Sequence, residues 1–77
     1  MKRNDDTLDL HGVRHAEVTR VTDEFLYRNM LAGTQEVKIV TGNSERMKSI
    51  VVECLKDYDM RWRTSFSSSA VLIVEMT

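Results

Sequence analysis

Residues 8–12 read Leu8-Asp9-Leu10-His11-Gly12, and a helical pattern begins within a few residues of the glycine. With Thr7 in front, Thr7 to Leu10 reads as a short first strand. Strand side chains alternate between faces, so Leu8 and Leu10 go to one side while Asp9 and His11 share the other. If helices cover the leucine side, the carboxylate and imidazole lie open at the carboxyl end of a strand, where open α/β sheets bind ligands. Gly12 allows a tight turn or the close approach of a ligand's backbone. The same pattern also fits a solvated strand end with no chemistry attached.

From His15 to Leu31 the positions Val18, Val21, Phe25 and Met30, with Thr22 and Leu26 alongside, follow three-and-four spacing and trace one helical face. Gly33 stands just beyond as a left-handed C-cap. The start lacks the usual Ser, Thr, Asp or Asn; Arg14 and His15 stand there instead. A cation beside a helix amino terminus is unfavourable, and a bound anion would offset both. Glu36 to Thr41 reads as a second strand, with Val37 and Ile39 on one face and Lys38 and Val40 on the other. A strand, a helix and a strand make a βαβ unit, which implies parallel pairing through a right-handed crossover.

Thr41-Gly42-Asn43-Ser44 repeats the theme of a turn that follows a strand and opens a helix. Met47, Ile50, Val51, Cys54, Leu55 and Tyr58 form its apolar stripe. Asn43 or Ser44 is a good N-cap, and the amides behind it would face any phosphate at this end of the sheet. The spacing is not that of a P-loop, and the simplest reading is a capping turn. Cys54 lies on the stripe and reads as core rather than nucleophile.

Met60 to Phe66 alternates Met60, Trp62 and Phe66 with Arg61, Arg63 and Ser65, the pattern of a half-buried strand. Ser67 to Ser69 make a turn, and Ala70 to Met76 carries the continuous run Val71-Leu72-Ile73-Val74. A strand apolar on both sides belongs inside a sheet, and one bearing two arginines suits an edge. The expected fold is therefore two-layer α/β, βαβαββ, with a four-stranded mixed sheet in the order 1-2-4-3 and two helices on one face.

Composition narrows the function classes. The chain of 77 residues, 42 % hydrophobic and 30 % charged, is globular rather than disordered. It divides into a charged tail, residues 1–6, and a single domain, residues 7–77. No apolar run approaches about eighteen residues and no signal pattern opens the chain, so a soluble, cytoplasmic protein without a membrane role is expected. One cysteine and two histidines leave no ligand set for a structural zinc site, and no metal or cofactor is expected. A net charge of −1 gives no global pull onto nucleic acid, so any such binding needs a local patch. Arg14, Lys38, Arg46, Lys48, Arg61 and Arg63 are the candidate cations. Each also fits a solvated surface charge.

Leu8-Asp9-Leu10-His11-Gly12 opening a βαβ unit, then an apolar strand ending in Thr41-Gly42 and a helix with Met47-Lys48 in its first turn, resembles the small MutS-related (Smr) domain over nearly the whole chain. The family usually continues from Thr-Gly to a further glycine and a longer loop with His-Ser, whereas this chain has Asn43-Ser44 and enters the helix directly. The resemblance implies a fold like the carboxyl-terminal domain of translation initiation factor three, with the last strand antiparallel to the others. It also implies nucleic-acid binding and, in many members, endonuclease action on DNA or RNA. Carried over, Asp9 and His11 are the catalytic candidates, and Thr41 and Gly42 belong to the substrate loop. Nucleic acid is then expected near Gly12, Arg14, His15, Asn43, Ser44 and Lys48, with Lys38, Arg61 and Arg63 as further contacts.

Three functions fit the sequence. One is a small endonuclease, acting on RNA in preference to DNA, with His11 as acid or base. Another is an RNA- or ribosome-binding module without turnover. The third is a protein-interaction domain using the open sheet face, where either Val71 and Ile73 or Leu72 and Val74 point away from the helices, as a monomer or weak homodimer.

Overall fold

The computed structural model describes residues 6–76 and contains β1 (Thr7–Asp9), α1 (His15–Ala32), β2 (Glu36–Val40), α2 (Glu45–Asp57), β3 (Arg61–Thr64) and β4 (Val71–Glu75). The sheet order is β1-β2-β4-β3. β1 pairs parallel with β2, and β4 runs antiparallel to both β2 and β3. The expected α/β architecture is thus the observed one. Of the expected tail, residues 1–5 lie outside the described residues, and the Asp6 carbonyl accepts a hydrogen bond from the Lys38 amide at 2.8 Å.

The core forms where the two helical stripes meet one face of the sheet. Leu10, Val18, Phe25, Leu26, Val37, Ile39, Met47, Val51, Leu55, Leu72 and Val74 make one buried cluster. β1 ends at Asp9 rather than Leu10, yet the Leu10 amide still bonds the Val40 carbonyl at 2.9 Å and its side chain is fully buried. β2 ends at Val40 and β4 spans Val71–Glu75, each shorter than expected, because Thr41 and Ala70 leave the ladder to bond one another. Helix α1 runs to Ala32, one residue beyond the expected end, and the Gly33 amide caps it on Met30 and Asn29 carbonyls.

Two expectations about burial are corrected. Met30 is exposed and Asn29 is buried in its place. Position 29 lies eleven residues after Val18, close to three full helical turns, so it falls on the stripe, and its amide bonds the Phe25 carbonyl at 3.0 Å. β3 is not half-buried. All four of its residues are exposed, Phe66 lies outside it in full solvent, and Trp62 keeps 41 % of its surface. The helix layer does not extend far enough to cover this edge strand.

On the open face, register sets Thr7, Lys38, Ile73 and Arg63 side by side across the four strands. Leu72 and Val74 are buried, so Val71 and Ile73 are the pair on the open side, half-buried among charged neighbours.

Candidate functional site

Parallel pairing brings the carboxyl ends of β1 and β2, and the loops that follow them, to one end of the sheet. Asp9 lies opposite Val40, so His11 follows on one strand as Thr41 and Gly42 follow on the other. The β1 loop is built as a tight turn. The Val13 amide bonds the Leu10 carbonyl at 3.0 Å, and Gly12, with φ of 81°, occupies the third position, where a type II turn needs positive φ. A side chain there would meet no neighbour within 4 Å, so the glycine answers to backbone conformation and leaves open space above the turn.

Asp9 has a role the sequence did not show. Its Oδ1 accepts a hydrogen bond from the His11 backbone amide at 2.9 Å. The carboxylate therefore fixes the turn that presents His11, and the bond it makes is to main chain rather than to the imidazole. Asp9, His11 and Gly12 are all exposed.

Arg14 is the N-cap of α1 and makes no side-chain cap bond, so its side chain leaves the first amides of that helix unsatisfied. His15 begins the helix and is exposed. The other helix start is closed. Ser44 Oγ accepts from the Met47 amide at 3.1 Å, the capping turn expected of this loop.

The Thr41-Gly42 segment is pinned from the other side of the sheet. Both amides donate to the Ala70 carbonyl, at 2.9 and 3.1 Å, and the Thr41 hydroxyl lies 3.0 Å from the Gly42 carbonyl oxygen and 3.3 Å from that of Ala70. Thr41 is only 4 % exposed, so it supports the loop from below. Gly42, at φ 69°, and the exposed Asn43 form the surface above it.

Of the remaining candidates, Lys48 borders this end and the others lie apart from it. Lys38 is on the open face two residues before the end of β2. Lys48, whose side chain is 18 % exposed, lies along a groove between α2 and β3 and pairs with Glu45 at 3.8 Å. Arg61 and Arg63 are on the far edge strand, with β2 and β4 between it and β1. Arg63 bridges Glu36 at 3.3 Å and Glu75 at 3.4 Å, two carboxylates that face each other across β2 and β4. Its charge relieves a like-charge contact within the sheet.

Cys54 is buried, and that burial pushes its thiol above its ordinary pKa, so it is held as a protonated core group. Among the described residues, no three His, Cys, Asp or Glu side chains gather as metal ligands, and no helix is long and apolar enough to cross a membrane.

The arrangement is that of a two-layer α/β domain with a loop-built site at the carboxyl ends of its parallel strands. The Smr domain profile matches residues 8–73, and the chain belongs to that family of nucleic-acid-binding, nuclease-like domains. A solved structure with the same fold is YdaL, a stand-alone small MutS-related protein from Escherichia coli. The TM-score is 0.87 at 18 % sequence identity, over 95 % of this chain. This chain spans 65 % of that one. No curated protein matches in sequence.

Proposed function

We propose that this domain binds RNA across the carboxyl ends of β1 and β2 and cleaves it, with His11 as the acid–base group. The observation that carries this reading is the turn held by Asp9, which presents an exposed imidazole beside the Thr41-Gly42 loop and the uncapped start of α1. An imidazole transfers protons near neutral pH. Arg14, His15 and the α1 amides supply the donors for a phosphate, as Gly12, Gly42, Asn43 and Ser44 supply its backbone path. Lys38, Lys48, Arg61 and Arg63 would then meet chain lying beyond the site.

RNA carries its own nucleophile. His11 takes the proton from a 2′-hydroxyl, the 2′-oxygen bonds to phosphorus, and the bond to the 5′-oxygen breaks. That oxygen leaves with a proton from solvent or from the imidazolium. The products are a 2′,3′-cyclic phosphate and a 5′-hydroxyl, and neither a divalent ion nor another cofactor enters. Among the described residues no three His, Cys, Asp or Glu side chains gather, so the proposed step is written with the imidazole and the RNA's own hydroxyl alone. We place the protein in the cytoplasm as a monomer or weak homodimer, with free or ribosome-held RNA as its target.

A second reading is a binding module without turnover. The closed start of α2 favours it, because Ser44 occupies an amide that a longer loop would leave for a phosphate.

Labelled single-stranded RNA and DNA of one sequence, incubated with the protein in chelator or magnesium, separate these readings. Cleavage of RNA alone, unaffected by chelator and reduced roughly 10²–10⁴-fold by His11→Ala, is expected. Binding without products leaves the second reading. Activity that needs magnesium, cuts DNA, or survives in the variant refutes the mechanism.

A further inference from the structure

The edge strand that the helices fail to cover forms one wall of a groove. α2 presents Lys48, Val52 and Lys56 along it at four-residue spacing, a single row on one helical face. Facing that row are Trp62 and Thr64 of β3, with Leu72 of β4 as the third apolar member. Trp62 is 41 % exposed, and Lys48 lies along the wall with only 18 % of its side chain in solvent. Eight residues of helix separate the two lysines, about 12 Å at 1.5 Å per residue.

The groove starts at the loop site. The Lys48 amide bonds the Ser44 carbonyl at 3.1 Å, so the first lysine stands one turn after the loop. Leu72 follows two residues after Ala70, whose carbonyl holds the Thr41 and Gly42 amides. A chain leaving the strand ends along α2 enters the groove directly.

We infer that this groove is a single-strand subsite, in which an unstacked base lies on Trp62 while neighbouring phosphates meet Lys48 and Lys56. The inference rests on the RNA-binding reading above and extends it to the strandedness of the ligand. The lining also holds Glu45 and Glu53 beside the two lysines, and an aromatic face beside cations that can reach a phosphate is the general composition of single-strand platforms. A base in a duplex offers only its edges, whereas an indole on an open wall takes the face of an unpaired one. Glu45 and Glu53 pair with the two lysines at 3.8 and 3.6 Å, but their side chains are 90 % and 70 % exposed. Such solvated pairs contribute little, and the lysines exchange them for phosphate.

Trp62 is the only tryptophan, so its fluorescence reports on this groove alone. Titration with a single-stranded RNA oligomer is expected to quench it, with the same midpoint as the anisotropy of the labelled oligomer, and a duplex of equal length is expected to quench far less. By anisotropy, Trp62→Ala weakens single-strand binding about tenfold, Trp62→Phe retains most of it, and Lys56→Ala flattens the salt dependence by roughly 0.7 in slope. Circular dichroism and the Phe variant guard against a folding defect. If the oligomer binds while the fluorescence and the Trp62→Ala affinity stay unchanged, the subsite is refuted and the RNA-binding reading stands. The groove would then suit an extended peptide pairing with β3. If no oligomer binds at all, both readings fall.

Discussion

Thr22 sits in the middle of α1 with no exposed surface, and its Oγ1 has no hydrogen-bond partner among the described residues. Burying a hydroxyl without a partner costs about 1–3 kcal/mol on the evidence of protein substitutions. Valine has nearly the same shape, is equally β-branched and has a similar helix propensity, so Thr22→Val removes the cost with little change in packing. We expect a gain of about 1–2 kcal/mol. A domain of this length holds about 4–12 kcal/mol in all, so the gain is a sizeable fraction. At about 4–8 °C per kcal/mol for small domains, the melting temperature should rise by roughly 5–15 °C. The assay is thermal and urea unfolding followed by circular dichroism, with an unchanged urea slope required for the comparison. Thr22→Ser should go the other way, since it keeps the hydroxyl and loses a buried methyl group. A Thr22→Val protein no more stable than the parent would refute the reasoning and show the hydroxyl bonded, most simply to the carbonyl four residues before it.

Two further outcomes follow from the site and the core. Asp9→Ala should loosen the turn that presents His11, with accelerated exchange of the His11 amide and a loss of about 0.5–2 kcal/mol, whereas Asp9→Asn keeps an acceptor and should keep the turn. Equal loss of cleavage in both variants would show instead that the carboxylate charge acts on the imidazole. In alkaline solution the buried Cys54, with its raised pKa, binds more protons folded than unfolded, so stability should fall as pH rises above about 8.5. Tyr58, raised by burial and then by Asp23, should continue the decline toward higher pH. Cys54→Ala should remove the first part of that dependence, and an unchanged profile in urea melts across this range would contradict the assignment.

The sheet order was legible because each strand's apolar pattern matched its place. Val71-Leu72-Ile73-Val74 could only lie inside the sheet, and two arginines marked β3 as an edge. Met30 misled because identity was weighed above angle: on the helix, position 29 carries the stripe whatever residue stands there, and an asparagine can satisfy its amide on its own backbone. The exposure of β3 was not legible at all, since alternation says which side chains face a helix layer but not how far that layer reaches. At the site, the types and order of Asp9, His11 and Gly12 were readable, but the carboxylate-to-amide bond depends on the turn's conformation. Arg63 looked like a free cation because its partners, Glu36 and Glu75, become neighbours only through strand register. Lys48, Val52 and Lys56 were spaced as a row in the sequence, and only their position opposite Trp62 gave the row meaning.

The central place of β4 sets the order in which this chain can fold. β1, α1 and β2 are local and can meet as soon as they exist, but β3 is made before the strand it must pair with. Until Val71–Glu75 has been synthesised, β2 presents an unpaired apolar edge and β3 has no neighbour in the sheet. Non-local pairing of this kind is slow and leaves strand edges open to other chains. A nascent chain that pauses between residues 65 and 70 should therefore be an aggregation-prone intermediate. The same hairpin carries Ala70, so its closure also completes the loop beside His11, and the candidate site and the finished sheet arrive together.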